Sequence, residues 1–182
     1  MHLIVVRRDM TGFQHLHPTM APDGTWSAPI TLEEAGSYRV FADFTRESTP
    51  ETLASDLKVD GAADYRRLPR AETVAGAGGG YRVTLADVSV TAGNETNLSF
   101  TVTRHGKPAA LARYLGAGGH LVALREGDLA FLHVHPTTER APAAGEPIEF
   151  ATRFPSAGSY RLFLQFRVGG EVHTAAFTQE VT

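Results

Sequence analysis

Apolar and polar positions alternate along the chain in short runs, and the apolar runs are rich in Val, Leu, Phe and Tyr. Gly, Pro, Asp and Asn separate these runs at intervals of roughly 8 to 12 residues, which is the spacing of β-strands joined by turns. No long stretch shows the 3.6-residue period of an amphipathic helix. The pattern therefore predicts an all-β protein.

The second half of the chain contains seven such runs, which we predict as strands. They cover Tyr81–Val90, Asn97–Thr103, His120–Arg125, Ala130–His135, Ile148–Phe154, Tyr160–Val168 and Val172–Val181. Seven short strands in about 100 residues are typical of an immunoglobulin-like sandwich of two antiparallel sheets. We therefore predict an immunoglobulin-like or cupredoxin-like β-sandwich.

An internal repeat divides the chain into two copies of one unit. At an offset of 118, His2–Thr19 aligns with His120–Thr137 without a gap, and eight of eighteen positions are identical. At an offset of 122, Ala35–Phe44 aligns with Ala157–Phe166, and seven of ten positions are identical. A repeated block of this kind indicates that one structural unit is used twice. We expect two β-sandwiches in tandem.

The two copies differ in completeness. Residues 1–60 supply only the last five strands, since nothing before His2 corresponds to Tyr81–Thr103. We predict a truncated sandwich there and a complete seven-stranded one over residues 81–182. Residues 61–80, rich in Ala, Gly, Arg and Pro, are predicted as a linker. A truncated sandwich exposes a sheet edge, so we expect the second domain, a partner protein, a second copy of the chain or missing upstream residues to cover it.

Both copies contain the segment Ala-Gly-Ser-Tyr-Arg at the start of a strand. In immunoglobulin-like sandwiches, a tyrosine near the start of the equivalent strand bonds back to the backbone a few residues upstream. Tyr38 and Tyr160 are therefore predicted to be corner tyrosines.

Histidine provides the strongest chemical signal in the chain. Six of the eight histidines occupy equivalent places in the two copies; they are His2, His15 and His17 in the first copy and His120, His133 and His135 in the second. All three histidines recur, although only about half of the surrounding positions match. This retention of all three histidines favours a functional site over histidines that the duplication merely copied as part of a strand end.

The pattern also predicts how each set of three comes together. Side chains alternate faces along a strand, so His15 and His17 point the same way, as do their counterparts in the second copy. If the first two strands form a hairpin whose paired residue numbers sum to 21, Val6 faces His15 and Ile4 faces His17. His2 then lies one diagonal step beyond His17 on the same face. We therefore expect three imidazoles to converge in each copy.

Three imidazoles can place three nitrogen atoms near 2 Å from one ion and leave a position open. Copper and zinc are the expected ions, because neutral imidazole suits both metals. His173, near the start of the last strand, is a possible fourth ligand in the second copy. The predicted function is the binding of copper or zinc for buffering or delivery, without catalysis.

Composition narrows the function classes. The chain has no cysteine, which excludes disulfides, thiolate metal sites and cysteine nucleophiles. Its formal net charge is −3, with no basic run longer than two residues, which argues against a nucleic-acid partner. The longest apolar run near the start, Leu3–Val6, is too short for a membrane span.

Two other functions compete with metal carriage. In the first, the histidines are structural and the protein is a non-catalytic interaction module. In the second, Gly127, His133, His135 and Glu139 resemble the first motif of a cupin metalloenzyme, in which two His and a Glu bind the metal. The first copy has Ala21 in place of Glu139, and no second cupin motif follows.

Three segments together resemble a known group of proteins: Met1–Pro18, Tyr114–Arg125 and His133–Pro136. They are similar to uncharacterised actinobacterial secreted or envelope-anchored proteins, sometimes labelled heavy-metal-binding. They also resemble small β-sandwich copper-handling proteins of the bacterial envelope. The resemblance implies an extracytoplasmic location, with an upstream signal segment and first strands that this chain lacks.

Overall fold

A computed structural model describes residues 1–134 and 136–182, without the side chain of residue 133. All regular structure in these residues is β-strand, so the predicted all-β class is confirmed. The chain forms two compact units, unit 1 (Met1–Leu68) and unit 2 (Pro69–Thr182). The described part of the chain contains no helix with the length and hydropathy to cross a membrane.

Unit 1 consists of one four-stranded antiparallel sheet and a short two-stranded ladder. Its strands are β1 (His2–Arg7), β2 (Gln14–Leu16), β3 (Thr19–Met20), β4 (Trp26–Ser27), β5 (Gly36–Arg46) and β6 (Thr49–Val59). The sheet has the order β2-β1-β5-β6, and β3 pairs with β4. β1 is the best-buried strand, and Ile4, Val5 and Val6 are fully buried.

Unit 2 has two sheets. Its strands are β7 (Val74–Gly76), β8 (Tyr81–Leu85), β9 (Glu95–Arg104), β10 (Lys107–Pro108), β11 (His120–Arg125), β12 (Phe131–Val134), β13 (Ile148–Arg153), β14 (Gly158–Val168) and β15 (Glu171–Val181). One sheet has the order β10-β9-β8-β7 with β13 also on β9, and the other has the order β12-β11-β14-β15. Residues of both sheets, such as Phe100 and Leu164, form one apolar core, as a β-sandwich requires.

The sheet of unit 1 has the same strand order as the second sheet of unit 2. The other sheet of unit 2 has no counterpart within unit 1 beyond the β3–β4 ladder. The exposure of equivalent side chains follows from this difference. Ala175 is fully buried, whereas Leu53 at the equivalent position is 61% exposed.

Both predicted corner tyrosines form the expected hydrogen bond. The Tyr38 hydroxyl donates to the Glu34 carbonyl oxygen at 2.8 Å, and the Tyr160 hydroxyl donates to the Ser156 carbonyl oxygen at 3.0 Å. Both side chains are 1% exposed. Both copies of the repeat therefore have the tyrosine-corner hydrogen bond as well as the four-stranded sheet.

The segment predicted as a linker, residues 61–80, is structured at both of its ends. The Tyr65 hydroxyl accepts a hydrogen bond from the Ser37 amide at 2.9 Å, within unit 1. Val74–Gly76 forms β7 and pairs with β8 in unit 2. The composition of this segment did not indicate either contact, because they depend on one phenol group and on backbone atoms.

Candidate metal centre

Three histidines of unit 1, which we call the His triad, converge at one end of the sheet: His2, His15 and His17. Nδ1 of His2 lies 2.7 Å from Nε2 of His15 and 3.1 Å from Nε2 of His17. One ligand nitrogen from each ring lies within 4.8 Å of both others. The ring centroids are 4.8 to 5.0 Å apart. The predicted convergence is confirmed for this copy.

Strand pairing brings the triad together, although with a different register from the one predicted. Ile4 lies opposite His15 and Leu3 opposite Leu16, so paired residue numbers sum to 19. The predicted pairing of Val6 with His15 was wrong by two residues. Because side chains alternate with a period of two, a shift of two residues leaves every side chain on its predicted face.

The turn between β1 and β2 accounts for this register. The Arg7 amide donates to the Thr11 carbonyl oxygen at 3.0 Å, and the Met10 amide donates to the Arg7 carbonyl oxygen at 2.8 Å. Met10 has φ 64° and Gly12 has φ 61°, a left-handed conformation that is uncommon outside glycine. Residues 8–13 connect the end of β1 to the start of β2. Beyond it, Pro18 restricts His17 to an extended backbone.

Arg7 holds this turn in place from inside unit 1. Its guanidinium lies 2.7 Å from a carboxylate oxygen of Asp9, and both side chains are 2% exposed. It also donates to the carbonyl oxygens of Ala35 at 2.8 Å and Asp64 at 3.0 Å. Burial raises the pKa of Asp9, but hydrogen bonds from Arg66 and Thr11 and the charge of Arg7 outweigh it and lower the pKa below its usual value. Asp9 therefore remains a carboxylate that anchors the turn.

The spacing of the triad suits a metal ion. Tetrahedral coordination at 2.0 to 2.1 Å places ligand nitrogens about 3.3 Å apart, so the two measured distances of 2.7 and 3.1 Å need to lengthen by only a few tenths of an ångström around an ion. Nδ1 of His2 is within hydrogen-bond distance of both other imidazoles. One proton can bridge only one of these pairs of nitrogens, whereas a cation between the rings can bind all three. His15 is 8% exposed, whereas His17 is exposed. The triad can hold a metal ion that is reachable from solvent.

In unit 2, His120 takes the place of His2. His120 is 7% exposed, and its Nε2 lies 3.1 Å from the Tyr114 carbonyl oxygen. A carbonyl oxygen only accepts hydrogen bonds, so Nε2 carries the proton and the lone pair of the neutral ring is on Nδ1. His2 directs the same atom toward its neighbours. Metal-binding imidazoles commonly donate their other N–H group to a carbonyl in this way.

The other two predicted ligands of unit 2 are His133 and His135. The backbone of residue 133 lies opposite Val122, the same register that pairs His15 with Ile4 in unit 1. Residue 135 and the side chain of residue 133 lie outside the described part of the structure. Of the three imidazoles predicted for the second site, the structure therefore describes that of His120.

His173 does not belong to this site, so its prediction as a fourth ligand was wrong. His120 pairs with Gln165 and Gln165 pairs with Thr174, which places these three residues on one face of the sheet. His173 precedes Thr174 and faces the opposite side. There its ring lies 4.4 Å from that of Tyr81, and its Nδ1 lies 3.3 Å from the Ala77 carbonyl oxygen. His173 is partly buried and packs against the core residues Tyr81 and Phe166.

Glu139, the carboxylate of the cupin alternative, lies in a segment without regular structure. Its side chain is 92% exposed and lies 3.9 Å from Arg113. Among the described residues, the His triad of unit 1 is the one cluster of histidines and acids with metal-compatible spacing, and Glu139 is not part of it. The placement of Glu139 relative to the side chains of His133 and His135 lies outside the described part of the structure.

One neighbour of the site was missed by sequence reasoning. Asp43 of β5 lies directly opposite His2 of β1. The signal that would have found it is the pairing of β1 with β5, in which residue numbers sum to 45. That pairing joins strands distant in sequence, so no local pattern reveals it.

A family model described as a domain of unknown function (DUF8832) matches residues 1–61 and 73–182. Neither the curated proteins nor the solved structures include a significant match to the chain. The unmatched residues 62–72 span the boundary between the two units. Since the model matches well over half of the chain, the protein belongs to the DUF8832 family.

Proposed function

We propose that the protein binds a transition-metal ion, copper or zinc, at the His triad of unit 1. The observation that carries this proposal is the approach of His15 and His17 to one nitrogen of His2, at 2.7 and 3.1 Å. Neutral imidazole is a good ligand for both metals. The chain has no cysteine to supply thiolate ligands.

A second ion of the same kind is proposed for unit 2, at a site built on His120, His133 and His135. The support is the internal repeat, the identical hairpin register and the tautomer of His120. We assign the protein a role in metal buffering or delivery. An exposed His17 suits this role, because it leaves the ion open to exchange with a donor or acceptor.

The proposed place of action is outside the cytoplasm, in the cell envelope or secreted. The support is the resemblance of the two His-x-His-Pro segments to envelope metal-handling proteins. A protein partner or a second copy of the chain is proposed at the edge of unit 1. The edge strand β6 is almost entirely exposed, and an exposed strand can pair with another chain.

The metal content of the protein, purified without a histidine tag and titrated with Cu²⁺ and Zn²⁺ at pH 7.5, tests the proposal. We expect about two equivalents of one metal per chain, one for each repeat. The variant His15→Ala should lose one equivalent, with at least a 100-fold loss of affinity at that site. The matched control is His105→Ala, which removes an exposed histidine from the turn between β9 and β10 and should change neither value.

The circular dichroism of each metal-free variant shows whether it is folded. A folded His15→Ala protein with unchanged stoichiometry and affinity would contradict the metal site. In that case the triad is structural, and the protein is an interaction module with a β-sandwich fold.

A further inference from the structure

The His triad is continued across the sheet of unit 1 by two polar side chains. Asp43 on β5 lies directly opposite His2 on β1, and Thr52 on β6 lies directly opposite Asp43. The Thr52 hydroxyl donates to a carboxylate oxygen of Asp43 at 2.8 Å. Residues directly opposite in antiparallel strands share a face and have Cβ atoms about 5 Å apart. The carboxylate is therefore held beside the imidazole of His2.

Unit 2 has the same row of side chains with one chemical difference. His120, Gln165 and Thr174 lie opposite one another on β11, β14 and β15. The Gln165 amide nitrogen lies 3.3 Å from the Thr174 hydroxyl oxygen. The threonine is kept, while the neighbour of the histidine is a neutral amide in unit 2 and a carboxylate in unit 1. The two rows thus differ by one negative charge.

The nearest cation on the same face of β5 does not cancel this difference. Arg39 lies four residues before Asp43, and its guanidinium pairs with Asp56 at 3.1 Å. Arg8 pairs with the same carboxylate at 2.9 Å. These side chains form their own ion-pair cluster farther along the sheet.

We propose that Asp43 makes the unit 1 site selective for a divalent ion over a monovalent one. This inference rests on the proposed function, since it requires that the His triad binds metal. Coulomb attraction is proportional to the charge of the ion, so one carboxylate stabilises bound Zn²⁺ or Cu²⁺ twice as much as bound Cu⁺. Asp43 acts through its charge and is not a ligand. The unit 2 site, with Gln165 in its place, lacks this preference.

The test uses the full chain with His133→Ala and His135→Ala, so that unit 1 provides the triad that is measured. The affinities for Zn²⁺ and for Cu⁺ are measured by competition with chelators, before and after Asp43→Asn. We expect the Zn²⁺ affinity to fall about tenfold and the Cu⁺ affinity about threefold, because the change in binding free energy scales with ionic charge. Asp43→Gln, which copies unit 2, should give the same ratio.

Thr52→Val is the control, because it removes the hydroxyl but keeps the carboxylate. Its Zn²⁺ to Cu⁺ selectivity should stay close to that of the parent. Equal losses for both ions in Asp43→Asn would show a packing effect and overturn the inference, as would no change for either ion. If the parent binds neither ion, the proposed function fails and the inference fails with it.

Discussion

The two units have the same four-stranded sheet and stabilise it in different ways. Unit 2 covers its sheet with a second one, and fully buried aromatic rings such as Phe100 and Phe150 fill the space between them. Unit 1 has no such sheet, and its largest fully buried side chain is Arg7. The equivalent Arg125 has a side chain that is 31% exposed. Unit 1 thus adds a buried ion pair, Arg7 with Asp9, to the apolar residues that it buries on β1.

The replacement Arg7→Met should have the largest effect on stability. It leaves Asp9 buried without its cation, which costs about 3 to 5 kcal/mol. Arg125→Met removes a partly exposed pair and should cost about 1 kcal/mol or less. Urea unfolding measures both, and the single tryptophan, Trp26, reports on unit 1 through its fluorescence.

A double variant sharpens this prediction. Arg7→Met combined with Asp9→Asn should recover part of the loss, because the uncompensated charge is then gone. If Arg7→Met is no more destabilising than Arg125→Met, the buried network is not what holds unit 1 together.

The corner tyrosines offer a comparison in which the two units should behave alike. Tyr38→Phe and Tyr160→Phe each remove one buried hydrogen bond to a carbonyl oxygen. Each change should lower the free energy of unfolding by about 1 to 2 kcal/mol. Thermal and urea denaturation give the values. A negligible effect in unit 1 alone would mean that its corner is loose without the second sheet.

The smallest expected effect depends on pH and concerns Asp128 in the turn of unit 2. Hydrogen bonds from Arg125 and the Ala130 amide lower the pKa of Asp128 to about 2. The folded state therefore takes up this proton less readily than the unfolded chain does. The contribution of Asp128 is complete above about pH 4 and is lost as the pH falls toward 2.

Because this carboxylate is half exposed, its contribution should stay below about 1 kcal/mol. The free energies of unfolding of the parent and of Asp128→Asn, measured at pH 6 and pH 3, give its size. The difference between the two proteins should shrink at the lower pH. A difference that is the same at both pH values would contradict the role assigned to the ion pair.

Sequence reasoning succeeded where the physics is local. The alternation of side chains along a strand placed His15 and His17 on one face, whatever the register. It failed where the outcome depends on the chain at a distance. The register between β1 and β2 depends on the left-handed Met10 and Gly12, and His173 was misplaced because its face is set by the pairing of β14 with β15.

The sequence by itself determined the all-β class, the duplication of one sheet and the convergence of three imidazoles in unit 1. Each of these follows from a period of two along a strand or from a match between two segments. Tertiary structure decided which charges surround the imidazoles and what holds the turn before them. Asp43 beside His2, and Asp64 and Tyr65 around Arg7, come from distant parts of the chain and meet only when the sheet has formed.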